Sequence, residues 1–78
     1  MNNRHSLCDL SLGQRASVTA LTTEGEMRRR LLDIGLTENA KVECVGQSPF
    51  GDPTAFLIRG AVIALRREDC RGIMINKC

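Results

Sequence analysis

Cysteine is the residue type in this sequence with the widest range of chemistry, because its thiol can bind metals, attack electrophiles or form disulfides. The chain has 78 residues and four cysteines: Cys8, Cys44, Cys70 and Cys78. No two of them stand close enough in sequence to form the C-x-x-C pair typical of zinc sites. We therefore predict free thiols and no metal site. The alternative is a Cys-based metal sensor or chaperone whose thiols cluster only in the folded protein.

Acid–base and nucleophilic catalysis have few candidate residues in this chain. His5 is the single histidine and stands near the amino end, while Asp52 and Glu68 are isolated carboxylates in polar segments. These residues suggest neither a Ser/His/Asp nor a Cys/His arrangement. The glycines also lack the spacing of a phosphate-binding or dinucleotide-binding loop. We therefore predict a binding domain with no catalytic residues and no cofactor.

Composition narrows the classes of partner. Lys and Arg number 11 against 9 Asp and Glu, for a net charge of +2, and the chain has two Phe but neither Trp nor Tyr. A third hypothesis, besides a protein-binding domain and a Cys-based metal protein, is a small nucleic-acid-binding barrel. Such a barrel needs a basic face with stacking aromatic rings, so the composition disfavours it. No apolar run is long enough to span a membrane, and the first residues lack the apolar stretch of a signal peptide. We expect one cytoplasmic domain over residues 1–78.

Alternating apolar and polar residues predict five short strands. These are residues 14–21, 41–46, 54–59, 61–66 and 72–75. Five close strands with one helix after the first favour a mainly β fold, a small closed or nearly closed barrel that leaves few sheet edges exposed. The remaining segments are expected to be a flexible start at 1–6, a polar turn at 67–71 and a frayed end at 76–78.

The segment between the first two predicted strands has the signals of a short helix. Thr23-Glu24-Gly25-Glu26 has the S/T-x-x-E form of a capping box, which predicts a helix start. The helix ends near Ile34, and Gly35 supplies the residue that tolerates a positive φ after the last turn. The inward phases of the helix and strands together predict one core: Val18, Leu31, Ile34, Val42, Cys44, Phe56, Ile63, Leu65 and Ile73.

The two faces of this helix differ in chemistry. At about 100° per residue, Met27 and Leu31 face the barrel with Ile34, whereas Leu32 lies on the opposite face between Arg28 and Arg29. Leu32 is therefore predicted to be exposed. One interpretation is an ordinary solvated helix face, and the other is a docking patch for a partner protein. The pattern alone favours neither.

Four motifs in order along the chain are together far more specific than any one of them. They are Leu10-x-x-Gly13, R-R-L-L-D-I-G-L at 29–36, P-F-G-D-P at 49–53 and A-L-R-R at 64–67. This pattern resembles the ferrous iron transport protein A (FeoA) family over roughly residues 7 to 75. The chain departs from the family where Glu38-Asn39 replaces a usual Pro-Gly, and where Cys70 replaces a small residue such as Ala. Asn39 tolerates a positive φ, and Cys70 packs as a small apolar side chain, so both departures fit the fold.

The resemblance implies an SH3-like domain that assists the membrane transporter FeoB, whose cytoplasmic part carries a GTPase-like domain. It thus implies a role in ferrous iron uptake, with contact to the membrane only through the transporter and with homo-oligomerisation left open. Our leading hypothesis places partner binding on the helix face and on the P-F-G-D-P loop, at Arg28, Arg29, Leu32, Pro49, Phe50, Gly51, Asp52 and Pro53. The barrel also resembles the C-terminal domain of iron-dependent repressors of the diphtheria toxin repressor type, so a regulatory domain is a further alternative.

Overall fold

Six antiparallel strands form a single sheet in the computed structural model, which describes residues 5–77. The strands are β1 (His5–Ser6), β2 (Arg15–Leu21), β3 (Lys41–Gln47), β4 (Thr54–Ile58), β5 (Ala61–Leu65) and β6 (Ile73–Lys77). Their order across the sheet is β1-β6-β2-β3-β4-β5, so the last strand lies beside the first two. The described residues also form two helices, α1 (Gly25–Asp33) and α2 (Arg67–Cys70), and a 3₁₀ turn at Leu7–Asp9. This architecture confirms the predicted mainly β fold.

The sixth strand is the main difference from the predicted topology. His5 pairs with Ile75 and Ser6 with Met74, so β1 extends the sheet where the sequence predicted a flexible segment. Two residues are too few to show an alternating pattern in the sequence. They form a strand because they pair with the free edge of β6. Residues 1–4, which belong to the same predicted segment, lie outside the described residues.

The carboxyl end also differs from expectation. Asn76 and Lys77, predicted to fray, pair with Ser17 and Ala16 of β2 and so extend β6. Cys78 lies outside the described residues. The predicted polar turn at 67–71 contains the single-turn helix α2, in which the buried side chain of Cys70 anchors the turn on the core.

The core confirms seven of the nine predicted residues as buried, with Ile34 and Ile63 half-buried and packed against them. The fully buried predictions are Val18, Leu31, Val42, Cys44, Phe56, Leu65 and Ile73. The prediction omitted a further group of buried side chains: Leu7, Leu10, Ala16, Leu36, Ala40, Ile58, Cys70 and Ile75. Most of these lie in connections, or beside strand ends, where no periodic pattern marks an inward side.

The predicted capping box at the start of α1 is wrong. The N-cap residue is Glu24, and no side chain bonds to the free amides there. Thr23 instead packs its Cγ2 methyl against the backbone of Gly72, a buried glycine that has no room for a Cβ. This contact turns the hydroxyl inward, where Thr23 Oγ1 is buried without a hydrogen-bond partner. Tertiary packing therefore overrides the local capping signal.

We expect Thr23→Val to stabilise the protein. The substitution keeps the shape of the side chain and the methyl contact with Gly72, but removes a buried hydroxyl that has no partner. The free energy of unfolding should rise by about 1 kcal/mol and the Tm by about 4 to 8 °C, measured by thermal melts. Thr22→Val is the matched control, because Thr22 Oγ1 donates to Gly72 O at 3.4 Å and its loss should not stabilise. A lower Tm for Thr23→Val would contradict the assigned packing.

The other end of α1 forms as predicted. Gly35 has φ +106° and follows the C-cap residue Ile34. The amide of Leu36 donates to Leu31 O at 3.0 Å, and the amide of Gly35 donates to Leu32 O at 3.0 Å. This is the double hydrogen bond of a Schellman motif, which places Leu36 in the core directly after the helix. Asn39 also has the expected positive φ, +71°.

Candidate partner-binding surface

Helix α1 separates two adjacent leucines. Leu31 is 2% exposed and packs in the core, whereas Leu32 is 36% exposed. Met27 and Ile34 are half-buried against the core on the same side as Leu31. The helical phase predicted from the sequence is therefore confirmed, and α1 presents Leu32 on its solvent face.

The arginines beside Leu32 have different environments. Arg28 Nη1 donates to Leu21 O at 3.1 Å, so its guanidinium is partly held against the end of β2. Arg29 is exposed and has no ion pair or side-chain hydrogen bond within residues 5–77. Of the two predicted cationic residues, Arg29 is thus the one whose charge is free to meet a partner.

The Pro49–Pro53 loop is ordered by bonds to Ser48. The amide of Gly51 donates to Ser48 O at 2.9 Å, and the amide of Asp52 donates to Ser48 Oγ at 3.0 Å. Gly51 has φ +81°, and the bond between Asp52 and Pro53 is cis. The two hydrogen bonds hold Phe50 at the tip of the loop, where it is 92% exposed. An exposed aromatic ring on an ordered loop has the chemistry of an interface anchor.

Asp52 has a structural task within the same loop. Its Oδ1 accepts a hydrogen bond from the amide of Arg67 at 2.9 Å, which is one of the free donors at the start of α2. This bond ties the loop to α2, although 15 residues separate the two in sequence. Asp52 therefore shapes the loop. Pro49, Asp52 and Pro53 are exposed as well, and Phe50 adds the aromatic ring of the loop to this accessible surface.

The two predicted segments form separate patches. Helix α1 precedes Lys41, the first residue of β3, and the loop follows Gln47, the last residue of the same strand. The two segments are therefore separated along the chain by the whole of β3. We call them the α1 patch (Arg28, Arg29 and Leu32) and the loop patch (Pro49–Pro53).

Charged residues that the sequence analysis did not assign lie beside the loop patch. Asp52 borders an open depression of about 340 Å³ whose other lining residues are Arg66, Arg67, Glu68 and Arg71. The A-L-R-R motif contains two of these arginines, which is the sequence signal that points to them. The depression therefore places three arginines and two carboxylates beside the Asp52 side of the loop patch.

A larger groove of about 660 Å³ crosses β2, β3 and β4. Three of its four charged residues are paired or bonded. Arg15 Nε lies 3.4 Å from Glu43 Oε1, and Arg59 donates to Gly35 O at 3.3 Å and to Thr37 Oγ1 at 3.0 Å. Within residues 5–77, the fourth charged residue, Lys41, is exposed and has no ion pair, so the groove has one free positive charge.

Two of the cysteines meet in space. Cys8 in the 3₁₀ turn is exposed, Cys70 at the end of α2 is 3% exposed, and both line one cavity of about 150 Å³. Cys44 is buried elsewhere in the core, as predicted. Within residues 5–77, no group of three or more His, Cys, Asp or Glu side chains is arranged to hold a metal ion.

Among the described residues, no helix is both long and apolar enough to cross a membrane. The longest, α1, has nine residues and carries three consecutive arginines.

Comparison with known proteins identifies relatives of this chain. The FeoA domain family matches residues 5–77, nearly the whole length. The chain is 29% identical over 70 residues to the Fe(2+) transport protein A/Fe(2+) transporter FeoB fusion protein of Porphyromonas gingivalis. That match covers 90% of this chain but 8% of the fusion protein, so the chain spans a small part of that relative.

Solved structures share the fold. The solution structure of FeoA from Chlorobium tepidum is 36% identical with a TM-score of 0.87, covering 94% of this chain and 70% of that one. The crystal structure of Stenotrophomonas maltophilia FeoA, described as a procaryotic SH3 domain protein complexed with zinc, is 22% identical with a TM-score of 0.82. It covers 92% of this chain and 89% of its own, and at that identity it shows the fold alone. The fold is thus the SH3-like one expected from the sequence.

Proposed function

The chain belongs to the FeoA family of ferrous iron transport, and we propose that it binds the cytoplasmic region of a FeoB-type transporter and modulates that transporter's activity. In this role the chain is a small cytoplasmic accessory protein that binds its partner and catalyses no reaction. Its partner is the region of the transporter that contains the GTPase-like domain.

The observation that carries this proposal is the fusion protein of P. gingivalis. In that protein, the segment similar to this chain is covalently joined to a FeoB transporter. Joining two domains raises the effective concentration of each for the other, which favours contact between them. For a separate chain, the corresponding contact needs a surface that binds the transporter without a linker.

The α1 patch is the surface that we assign to this contact. A partly exposed leucine beside a free guanidinium combines an apolar anchor with a charge that can steer an acidic surface. Leu32 is held in place by the rigid helix that Leu31 anchors to the core, so little ordering is needed on binding. The loop patch, with Phe50 at its tip, is the second candidate surface.

We expect Leu32→Ala to weaken binding to the transporter's cytoplasmic domain by roughly 5- to 150-fold, about 1 to 3 kcal/mol, as loss of an interface anchor does. The measurement is a calorimetric titration, with a thermal melt of each variant. Leu12→Ala is the matched control, because Leu12 is 62% exposed and lies outside both patches. Arg29→Ala should weaken binding more at low salt than at high salt, since exposed charges are screened.

The affinities of the Leu32→Ala and Phe50→Ala variants show which patch binds the transporter. Unchanged affinity in Leu32→Ala would move the docking site away from the α1 patch, and a loss in Phe50→Ala would then place it on the loop patch. Unchanged affinity in both variants would reject the two surfaces together. If the wild-type chain neither bound the transporter domain nor changed its rate of GTP hydrolysis, the proposed function itself would be wrong.

A further inference from the structure

The tertiary structure brings together two free cysteines, Cys8 and Cys70, that are far apart in sequence. The 3₁₀ turn that contains Cys8 packs against α2, the helix that ends at Cys70. Both side chains line the same cavity, which opens beside Gly51 of the loop patch. Neither the proposed function nor the core requires this pairing, since a small apolar residue at either position would also fill the space.

The two thiols have complementary accessibility. Cys8 is exposed, and its Sγ donates to the carbonyl oxygen of Arg67 at 3.3 Å, which holds the thiol over α2. Cys70 lines the same cavity and is 3% exposed. A small molecule in solvent therefore meets the sulfur of Cys8 before that of Cys70.

The raised pKa of the Cys70 thiol is consistent with a nearby Cys8. Burial raises the pKa of the Cys70 thiol to about 12, and the neighbouring Cys8 adds to this shift by its charge and by a side-chain hydrogen bond. The carboxylates of Asp69 and Asp52 contribute in the same direction. Cys70 thus stays protonated at neutral pH, so the exposed thiol is the one that starts any reaction.

We propose that Cys8 and Cys70 form a reversible disulfide, and that the site reacts with low-molecular-weight disulfides. In the first step, the thiolate of Cys8 attacks one sulfur of the small disulfide, which forms a mixed disulfide and releases one small thiol. In the second step, Cys70 loses its proton and attacks Cys8 Sγ, which releases the second small thiol. The two protein thiols are oxidised, and the small disulfide is reduced to two thiols.

The number of ligating side chains at this site favours disulfide formation over metal binding. Among residues 5–77, no group of three or more His, Cys, Asp or Glu side chains is arranged to hold a metal ion, so these two sulfurs are too few for a tetrahedral zinc site. A disulfide, by contrast, needs only two sulfurs, and the packing of the 3₁₀ turn on α2 brings both to one cavity. The bond would lock the 3₁₀ turn to α2, whose first amide also holds Asp52 of the loop patch.

The test treats the purified full chain carrying Cys78→Ser with oxidised glutathione, followed by trypsin digestion without reduction. Cleavage after lysine and arginine places Cys8 in residues 5–15, Cys70 in residues 68–71 and Cys44 in residues 42–59. We expect a linked peptide of the first two segments and no link to the third. The Tm should rise by about 10 °C or more on oxidation and return on reduction, since the bond closes a long loop.

Cys8→Ser is the matched control, because Cys8 is exposed and its loss leaves the core intact. This variant should give neither a linked peptide nor a rise in Tm. The closing step should accelerate about tenfold per pH unit between pH 7 and 9, because Cys70 must lose its proton first. Glutathione that stays attached to Cys8 at pH 9, a cross-link that involves Cys44, or no reaction of the protein would each overturn the proposal. None of these results depends on the transporter, so they test the disulfide independently of the proposed function.

Discussion

Leu31→Ala should lower the free energy of unfolding by about 2 to 4 kcal/mol, which is a large part of the margin of a domain this small. Leu31 is 2% exposed and is the one fully buried side chain that α1 contributes to the core. Truncation leaves a cavity among closely packed core side chains, which close it only in part. A thermal melt or urea titration measures the loss, with an expected fall in Tm of about 10 to 25 °C.

Leu32→Ala is the internal control for this prediction. The same chemical change, one position along the same helix, removes a side chain that is 36% exposed. Its Tm should change by no more than about 4 °C, since exposed positions cost little when truncated. An equal fall in Tm in the two variants would mean that α1 packs on the core in a different rotational orientation. Leu32 would then be buried and not available to a partner.

Gly35→Ala is the second substitution with a large expected effect, a loss of about 2 kcal/mol or more of unfolding free energy. Two causes add. The φ of +106° is outside the region that residues with a Cβ favour, and the new methyl would lie 2.7 Å from Cδ of Arg59. Arg59 cannot move away freely, because its Nε donates to Gly35 O and its Nη2 donates to Thr37 Oγ1.

Matched variants separate these two causes. Gly13 has φ +86°, and no other atom lies within 4 Å of the place that an added Cβ would occupy, so Gly13→Ala should show the backbone cost alone. In an Arg59→Ala background, the further loss from Gly35→Ala should shrink towards the Gly13 value, measured as a double-mutant cycle. If Gly35→Ala cost no more than Gly13→Ala in the wild-type background, the contact with Arg59 would carry no energy.

Features that depend on local periodicity were predictable. The phase of α1 required only the rotation per residue, and it correctly separated Leu31 from Leu32. The end of α1 required only the recognition that Gly35 can take a positive φ. The strand segments were identified by alternation, although their ends and the short β1 were not, because pairing partners decide where a strand stops.

Features that depend on contacts between distant segments were not predictable. The S/T-x-x-E pattern at Thr23 satisfies every local rule for a capping box, yet the packing of Thr23 on Gly72 points its hydroxyl elsewhere. Asp52 was identified as a loop residue, but its bond to the amide of Arg67 follows from the position of α2. A loop residue can thus be recognised from the sequence while its partner cannot.

The amino-acid sequence by itself determined five of the six strands, helix α1 with its inward side, and the four motifs that identify the family, because these are properties of neighbouring residues. Only the tertiary structure decided which surfaces exist. It tied the loop patch to α2 through the bond from the Arg67 amide to Asp52, and it brought Cys8 to Cys70 by packing the 3₁₀ turn on α2. The physical reason is that burial of Leu7 and Cys70 in one core selects this packing, and spacing along the chain does not encode it.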